Sequence, residues 1–154
     1  MTISNDIKVM GAGSPILDML LNVEDSFLAC AGGAKGGMEL VDSARIDSIL
    51  AKSSSVPSRA PGGSAANTIG GLARLGIKTA FLGKIGLDED GNFYKNFYQS
   101  IGGDTSAFRY TDKIHTGRCL SLITPDSERT MRTDLGAAAA LSPDEVSSAD
   151  YKGI

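Results

Sequence analysis

P-G-G-S-A-A-N-T-I-G-G-L-A-R-L-G, residues 61–76, decides how this chain is read. Two glycines precede a run in which Ala65, Ala66, Ile69 and Ala73 recur at helical spacing. Gly76 then stands where a helix commonly closes on a left-handed residue. The pattern predicts a helix over 64–75, its small residues allowing close packing. The glycine pair leaves backbone bare at the helix start, where unpaired N–H groups attract hydroxyl oxygens or anions. Asn67, inside the first turn, adds a donor and an acceptor. Gly62, Gly63, Ser64 and Asn67 are therefore candidate contacts to a polyol. Taken alone, G-G-S reads more simply as a tight turn leading into a packed helix. A second segment downstream, G-K-I-G-L-D-E-D-G at 83–91, moves the balance toward a site.

Working outward, residues 7–10 form a short apolar run ending at Gly11, which suits a buried first strand. G-A-G-S-P-I-L-D, residues 11–18, invites a dinucleotide-binding reading, but Ile16 stands where the third glycine belongs and Pro15 spoils the helix start. The alternative is that Gly13 turns the chain and Asp18 emerges beyond strand one. A carboxylate accepts bonds from two adjacent hydroxyls at once. Asp18 on its own could equally be a solvent-facing acid; beside the helix start at 62–67 it becomes a candidate ligand residue.

The remaining pattern alternates strands with helices. Residues 16–23 read as extended, and A-G-G-A-K-G-G at 31–37 as a flexible loop without the G-K-[ST] ending of a phosphate loop. A helix is expected from Ser43, with Asp42 or Ser43 as cap and Ile46, Ile49 and Leu50 on one face. Residues 53–61 read as connector or edge strand, 79–85 as a buried strand, and 105–110 as a further strand. Asp88 is expected to cap a helix whose Phe93, Tyr94, Phe97, Tyr98 and Ile101 form an aromatic core face, stopped by Gly102 and Gly103. Residues 118–124 and 129–133 read as a hairpin about Pro125, Asp126 and Ser127. Ser142, Pro143, Asp144 and Glu145 announce a last helix. The alternation points to an α/β layer with a largely parallel sheet.

Composition excludes several function classes. The 154 residues are 42% hydrophobic and 21% charged, an ordinary globular balance with room for a core. The net charge of −3 and the lack of a basic run argue against nucleic acid or an anionic membrane as partner. No basic segment followed by an apolar stretch opens the chain, and residues 16–21 are far short of the ~20 needed to span a bilayer. A cytoplasmic, reducing location is expected. Cys30, Cys119 and the single His115 lack metal-site spacing. Cys119 reads as core or pocket lining and His115 as a loop residue.

G-G-S-A-A-N-x-x-x-G-L-A-R-L-G followed by G-K-I-G-x-D-x-x-G resembles the first signature of the PfkB carbohydrate kinase family, which includes ribokinase, fructokinase and adenosine kinase. The resemblance runs over residues 7–141 and implies a ribokinase-like, doubly wound α/β sandwich with a small β lid. It also implies transfer of the γ-phosphate of ATP to a hydroxymethyl group with Mg²⁺. Asp18 is similar to the acid that binds substrate hydroxyls, and Gly62, Gly63 and Asn67 to the sugar-contacting helix start. Lid segments are expected at about 17–41 and 105–133. G-S-P-I-L-D at 13–18 and T-G-R-C at 116–119 resemble the adenosine kinase branch, with Ser14 a departure from its Asn. Ile16, Leu40 and Cys119 would then be apolar neighbours of a base. The family's second signature, with a G-A-G-D core whose Asp deprotonates the acceptor, is missing from the 154 residues. The expectation is thus the N-terminal half of such a kinase, cut near its middle, binding a nucleoside but inactive and holding neither ATP nor Mg²⁺ on its own. A ribose- or fructose-type sugar kinase fragment and a non-catalytic binding or assembly module are the rivals. Pairing of two copies through the lid is a further expectation, as is marginal stability with a tendency to associate.

Overall fold

The computed structural model describes residues 8–154; Ile7, the expected start of the first strand, lies outside them. In chain order the elements are β1 (Lys8–Ala12), β2 (Ile16–Asn22), a 3-10 turn (Asp25–Phe27) running into α1 (Leu28–Ala31), β3 (Met38–Leu40) and α2 (Ser43–Leu50). They continue with β4 (Ser58–Gly62), α3 (Ser64–Arg74), β5 (Lys78–Gly86), α4 (Glu89–Ser100), β6 (Phe108–Thr111), β7 (Gly117–Ile123) and β8 (Arg129–Asp134). The 3-10 turns Gly136–Ala140, Pro143–Glu145 and Ser148–Tyr151 follow.

The strands form two sheets. One is three-stranded, in order β1-β5-β6, with both pairings parallel. Its central strand is buried almost throughout, as the continuous apolar run 79–85 requires of a strand covered on both sides. Phe81 and Ile85 face Ala66 and Ile69 of α3 and Tyr94 and Tyr98 of α4, with Phe108 of β6 completing the cluster. The alternate residues, Leu82 and Lys84, point the other way. There Lys84 reaches the carbonyl of Ala140 and the Glu145 carboxylate, while Arg109 bonds the Glu145 carbonyl and Asp150. The C-terminal turns are thereby strapped flat over this face.

The second sheet is five-stranded, in order β3-β8-β7-β2-β4. β7 and β8 pair antiparallel as the expected hairpin, β2 runs parallel to β7, and β4 lies antiparallel on the edge, where Pro61 is tolerated. Met19, Leu21, Leu120 and Leu122 pack one face of this sheet onto Ile46 and Ile49 of α2 and Ala31. Among the described residues no helix packs in that way against the opposite face, which carries Asp18. The chain crosses between the sheets at residues 13–15, 63, 112–116 and 135, so the glycine-led start of α3 sits at a crossing.

Several expectations need correction. Residues 24–31 predict no element, yet they coil into a 3-10 turn and α1. β6 starts at Phe108 and not at 105, because Asp104 accepts a bond from the Ser106 amide and turns the chain first. It joins the three-stranded sheet, so within 105–133 only the hairpin segment belongs to the five-stranded one, and β4 joins that sheet as well. The start signal at Ser142 forms its capping box, but only the 3-10 turn Pro143–Glu145 follows. Glu145 is held by Lys84, and Val146 is already extended. The glycine loop at 32–37 is pinned and not free. Arg132 is fully buried and donates to the carbonyls of Ala31, Gly32 and Gly37, and the Gly36 amide bonds Thr130.

Candidate substrate-binding site

The register of the five-stranded sheet collects the candidate residues. Leu40 pairs with Thr133, Thr133 with Cys119, Cys119 with Asp18 and Asp18 with Ala60, so one row crosses all five strands. Facing residues in a ladder share a side of the sheet. The next row toward the hairpin turn runs Met38, Met131, Ser121, Leu20, Ser58, and Ile16 lies beside Gly62 on the other flank. Both rows stand on the face away from the α2 core. Met38 and Leu40 are 56% and 63% exposed, so an apolar strip lies open beside a lone carboxylate.

Asp18 is half-buried, and its partners decide its chemistry. Among the described residues no donor bonds its carboxylate. Burial pushes its pKa up from 3.8, and the charge of Arg129 pulls it partly back. Gly62 is the seat of this group: a Cβ there would stand 2.4 Å from the Asp18 Cγ and from both carboxylate oxygens. A side chain here would displace the carboxylate. Gly63, at φ 97°, is the N-cap of α3 and makes no side-chain cap, so the first turn keeps unpaired N–H groups. A Cβ on Gly63 would meet the Ser14 carbonyl at 2.3 Å, which places Ser14 against the same turn. An acceptor carboxylate and a donor helix end thus lie on adjacent residues of β2, β4 and α3. That pairing suits a neutral polyol, which both donates and accepts.

The other expected residues fall at different distances from this centre. Cys119 is buried beside Asp18, its thiol pushed up by burial and accepting a 3.3 Å bond from the Thr133 hydroxyl, so it acts as lining. Ser64 and Asn67 are exposed on the first turn of α3. Asn67 borders a small cavity of about 50 Å³ between α3 and α4, with Pro61, Phe97 and Tyr98 among its walls. His115 lies in the crossing loop and faces Asp134, with 2.6 Å between Nε2 and Oδ2. Residue types alone do not single out Arg129, Thr133, Met38 and Met131; the strand alternation of T-M-R-T opposite Cys119 is the signal that would have found them. Among the described residues no group of three or more His, Cys, Asp or Glu could hold a metal ion, and no helix is long and apolar enough to cross a membrane.

The comparisons with known proteins bear on the family and the fold. Residues 38–152 match the model of the pfkB family carbohydrate kinases. The chain is 37% identical over 92 residues to the 5-dehydro-2-deoxygluconokinase of Halalkalibacterium halodurans, a match covering 57% of this chain and 28% of that protein. Among solved structures, the adenosine kinase of Sinorhizobium meliloti superposes with a TM-score of 0.80 at 32% identity, covering 92% of this chain and 43% of that one. A probable sugar kinase of Rhizobium etli gives 0.75 at 31% identity, covering 92% and 42%. The matched stretch is less than half of each of these proteins. With the family model covering most of its length and the ribokinase-like fold in place, this chain belongs to the pfkB family of carbohydrate kinases.

Proposed function

We propose that this chain forms the acceptor-binding part of an ATP-dependent kinase that phosphorylates the hydroxymethyl group of adenosine or a related nucleoside. The observation that carries the reading is the row from Asp18 through Cys119 and Thr133 to Leu40. Three strand spacings make it roughly 14 Å long, polar at one end and apolar at the other. A lone sugar engages the Asp18 end and leaves Met38, Met131 and Leu40 bare. Ribose carrying a flat base covers both ends.

In this account Asp18 accepts bonds from two ribose hydroxyls, and the N–H groups at the start of α3 receive a third oxygen. Ser14, Ser64 and Asn67 complete the polar rim. Ile16, Cys119 and Leu40 border the base. Gly62 leaves the room in which the carboxylate lies, and positioning of the acceptor accounts for much of the catalysis in phosphoryl transfer. ATP with Mg²⁺ supplies the phosphoryl group in kinases of this family. G-A-G-D occurs nowhere in the sequence, so the described residues do not supply the acid that would deprotonate the acceptor. The chain's own part is to bind and orient the acceptor, and by itself it binds without turnover. The five-stranded sheet serves as the lid over that acceptor.

A sugar acceptor is the second reading, favoured by the identity to a gluconokinase-type relative. Titration calorimetry of the 154-residue chain with adenosine, ribose and fructose separates the two. Adenosine binding at least tenfold more tightly than either sugar supports the nucleoside; a sugar binding more tightly than adenosine overturns it.

A further inference from the structure

We infer that Tyr94 is a positioning residue of the substrate site: its hydroxyl sets the orientation of the Gly62–Gly63 peptide and, through Gly62, the seat of the Asp18 carboxylate. The inference rests on the reading of Asp18 and the start of α3 as a hydroxyl-binding site. Tyr94 belongs to α4, whose aromatic face is expected from its spacing to be plain core. Its ring does pack there, fully buried, with its centroid 6.2 Å from that of Phe108. Its hydroxyl does something else. It donates a 2.8 Å bond to the Gly62 carbonyl, a buried contact across 32 residues of sequence.

That carbonyl belongs to the softest peptide of the site. Glycine stands on both sides of it, so few steric barriers resist a flip of the plane. The peptide is trans and planar, which makes its C=O and N–H point in opposite directions. Holding the Gly62 oxygen toward α4 therefore aims the Gly63 N–H away from α4, at the open start of α3. The same bond fixes the Gly62 Cα on which the Asp18 carboxylate rests. Tyr94 thus sets donor and acceptor together without touching the ligand.

The frame that holds Tyr94 is itself tied to β4. Arg59 pairs with Asp90 at 3.0 Å and Glu89 at 2.9 Å, and its guanidinium lies 5.0 Å over the Phe93 ring. Helix α4 and strand β4 are latched at both ends of the short segment that leads into the glycine turn. Loss of the hydroxyl alone leaves this latch and the ring packing intact, while the Gly62 carbonyl loses its tyrosine donor.

The test compares Tyr94→Phe with Tyr98→Phe in the 154-residue chain. Tyr98 lies one turn further along α4, and its buried hydroxyl faces the Thr79 side chain. Nuclear magnetic resonance would follow the Gly62 carbonyl carbon, the Gly63 amide and the titration of the Asp18 carboxyl in the free protein. Tyr94→Phe is expected to move all three; Tyr98→Phe is expected to move none. Adenosine affinity should fall about tenfold in the first variant only. Unchanged Gly62 and Gly63 resonances in Tyr94→Phe overturn the inference, as do equal shifts in both variants. If the unsubstituted chain ignores adenosine, the nucleoside reading fails, and the Gly63 amide still decides the role of Tyr94.

Discussion

Asp18 carries its charge on a half-buried face where no donor meets it among the described residues, and its pKa is raised in consequence. A raised carboxylate pKa means that the folded state binds the proton more readily than the unfolded one. The charged form therefore costs stability above the folded pKa, and the cost vanishes as pH falls below the unfolded value of 3.8. Asp18→Asn should raise the melting temperature at pH 7, with the gain shrinking toward pH 3.8, while ligand affinity drops. Thermal melts across that range check the sign; a lower melting temperature at pH 7 would mean that the acid is structural. The Gly62–Gly63 helix start was legible in the sequence because glycine followed by a helix pattern implies bare backbone. The Tyr94 hydroxyl was not, since helical spacing shows which face is buried and not what the ring's far end meets.

Strands and helices were legible wherever one period dominated. The buried run of β5, the hairpin of β7 and β8, and the Asp42 and Asp88 caps on α2 and α4 all form as read. The loop at 32–37 was misread because composition reports what glycine permits and not what a distant residue imposes. Arg132, about a hundred residues away, binds the carbonyls of that loop and faces Glu39 at 3.6 Å. It thereby fixes the approach to β3, which presents Met38 and Leu40. Arg132→Met should cost about 1–3 kcal/mol, the penalty for leaving carbonyls of the loop without their donor. It should also expose amides 32–37 to fast hydrogen exchange. Denaturant unfolding with exchange mass spectrometry reads both; a loss below 1 kcal/mol with a protected loop would contradict the assignment.

At the scale of the molecule the two sheets divide the work. The three-stranded sheet with α3 and α4 holds the glycine turn, and the five-stranded sheet supplies the acid and the apolar strip. Strand count and alternation did not reveal this division, since they say nothing of which strands pair; the family resemblance alone implied a separate lid. β1 has β5 on one side and, among the described residues, no strand on the other. That open parallel edge, and exposed Met38 and Leu40 on the β3 edge of the other sheet, favour association. Sedimentation velocity should show concentration-dependent oligomers at micromolar levels, whereas a monomer throughout would show the edge to be protected.

The account's central claim is that Asp18 on its glycine seat binds the acceptor's hydroxyls. Titrating adenosine into the chain and into Asp18→Ala tests it most directly. Two lost charge-assisted bonds, at about 1.5–3 kcal/mol each, predict a fall in affinity of at least a hundredfold, with the melting temperature kept or raised. Equal affinity in the two proteins would contradict the claim and move the site elsewhere on the molecule.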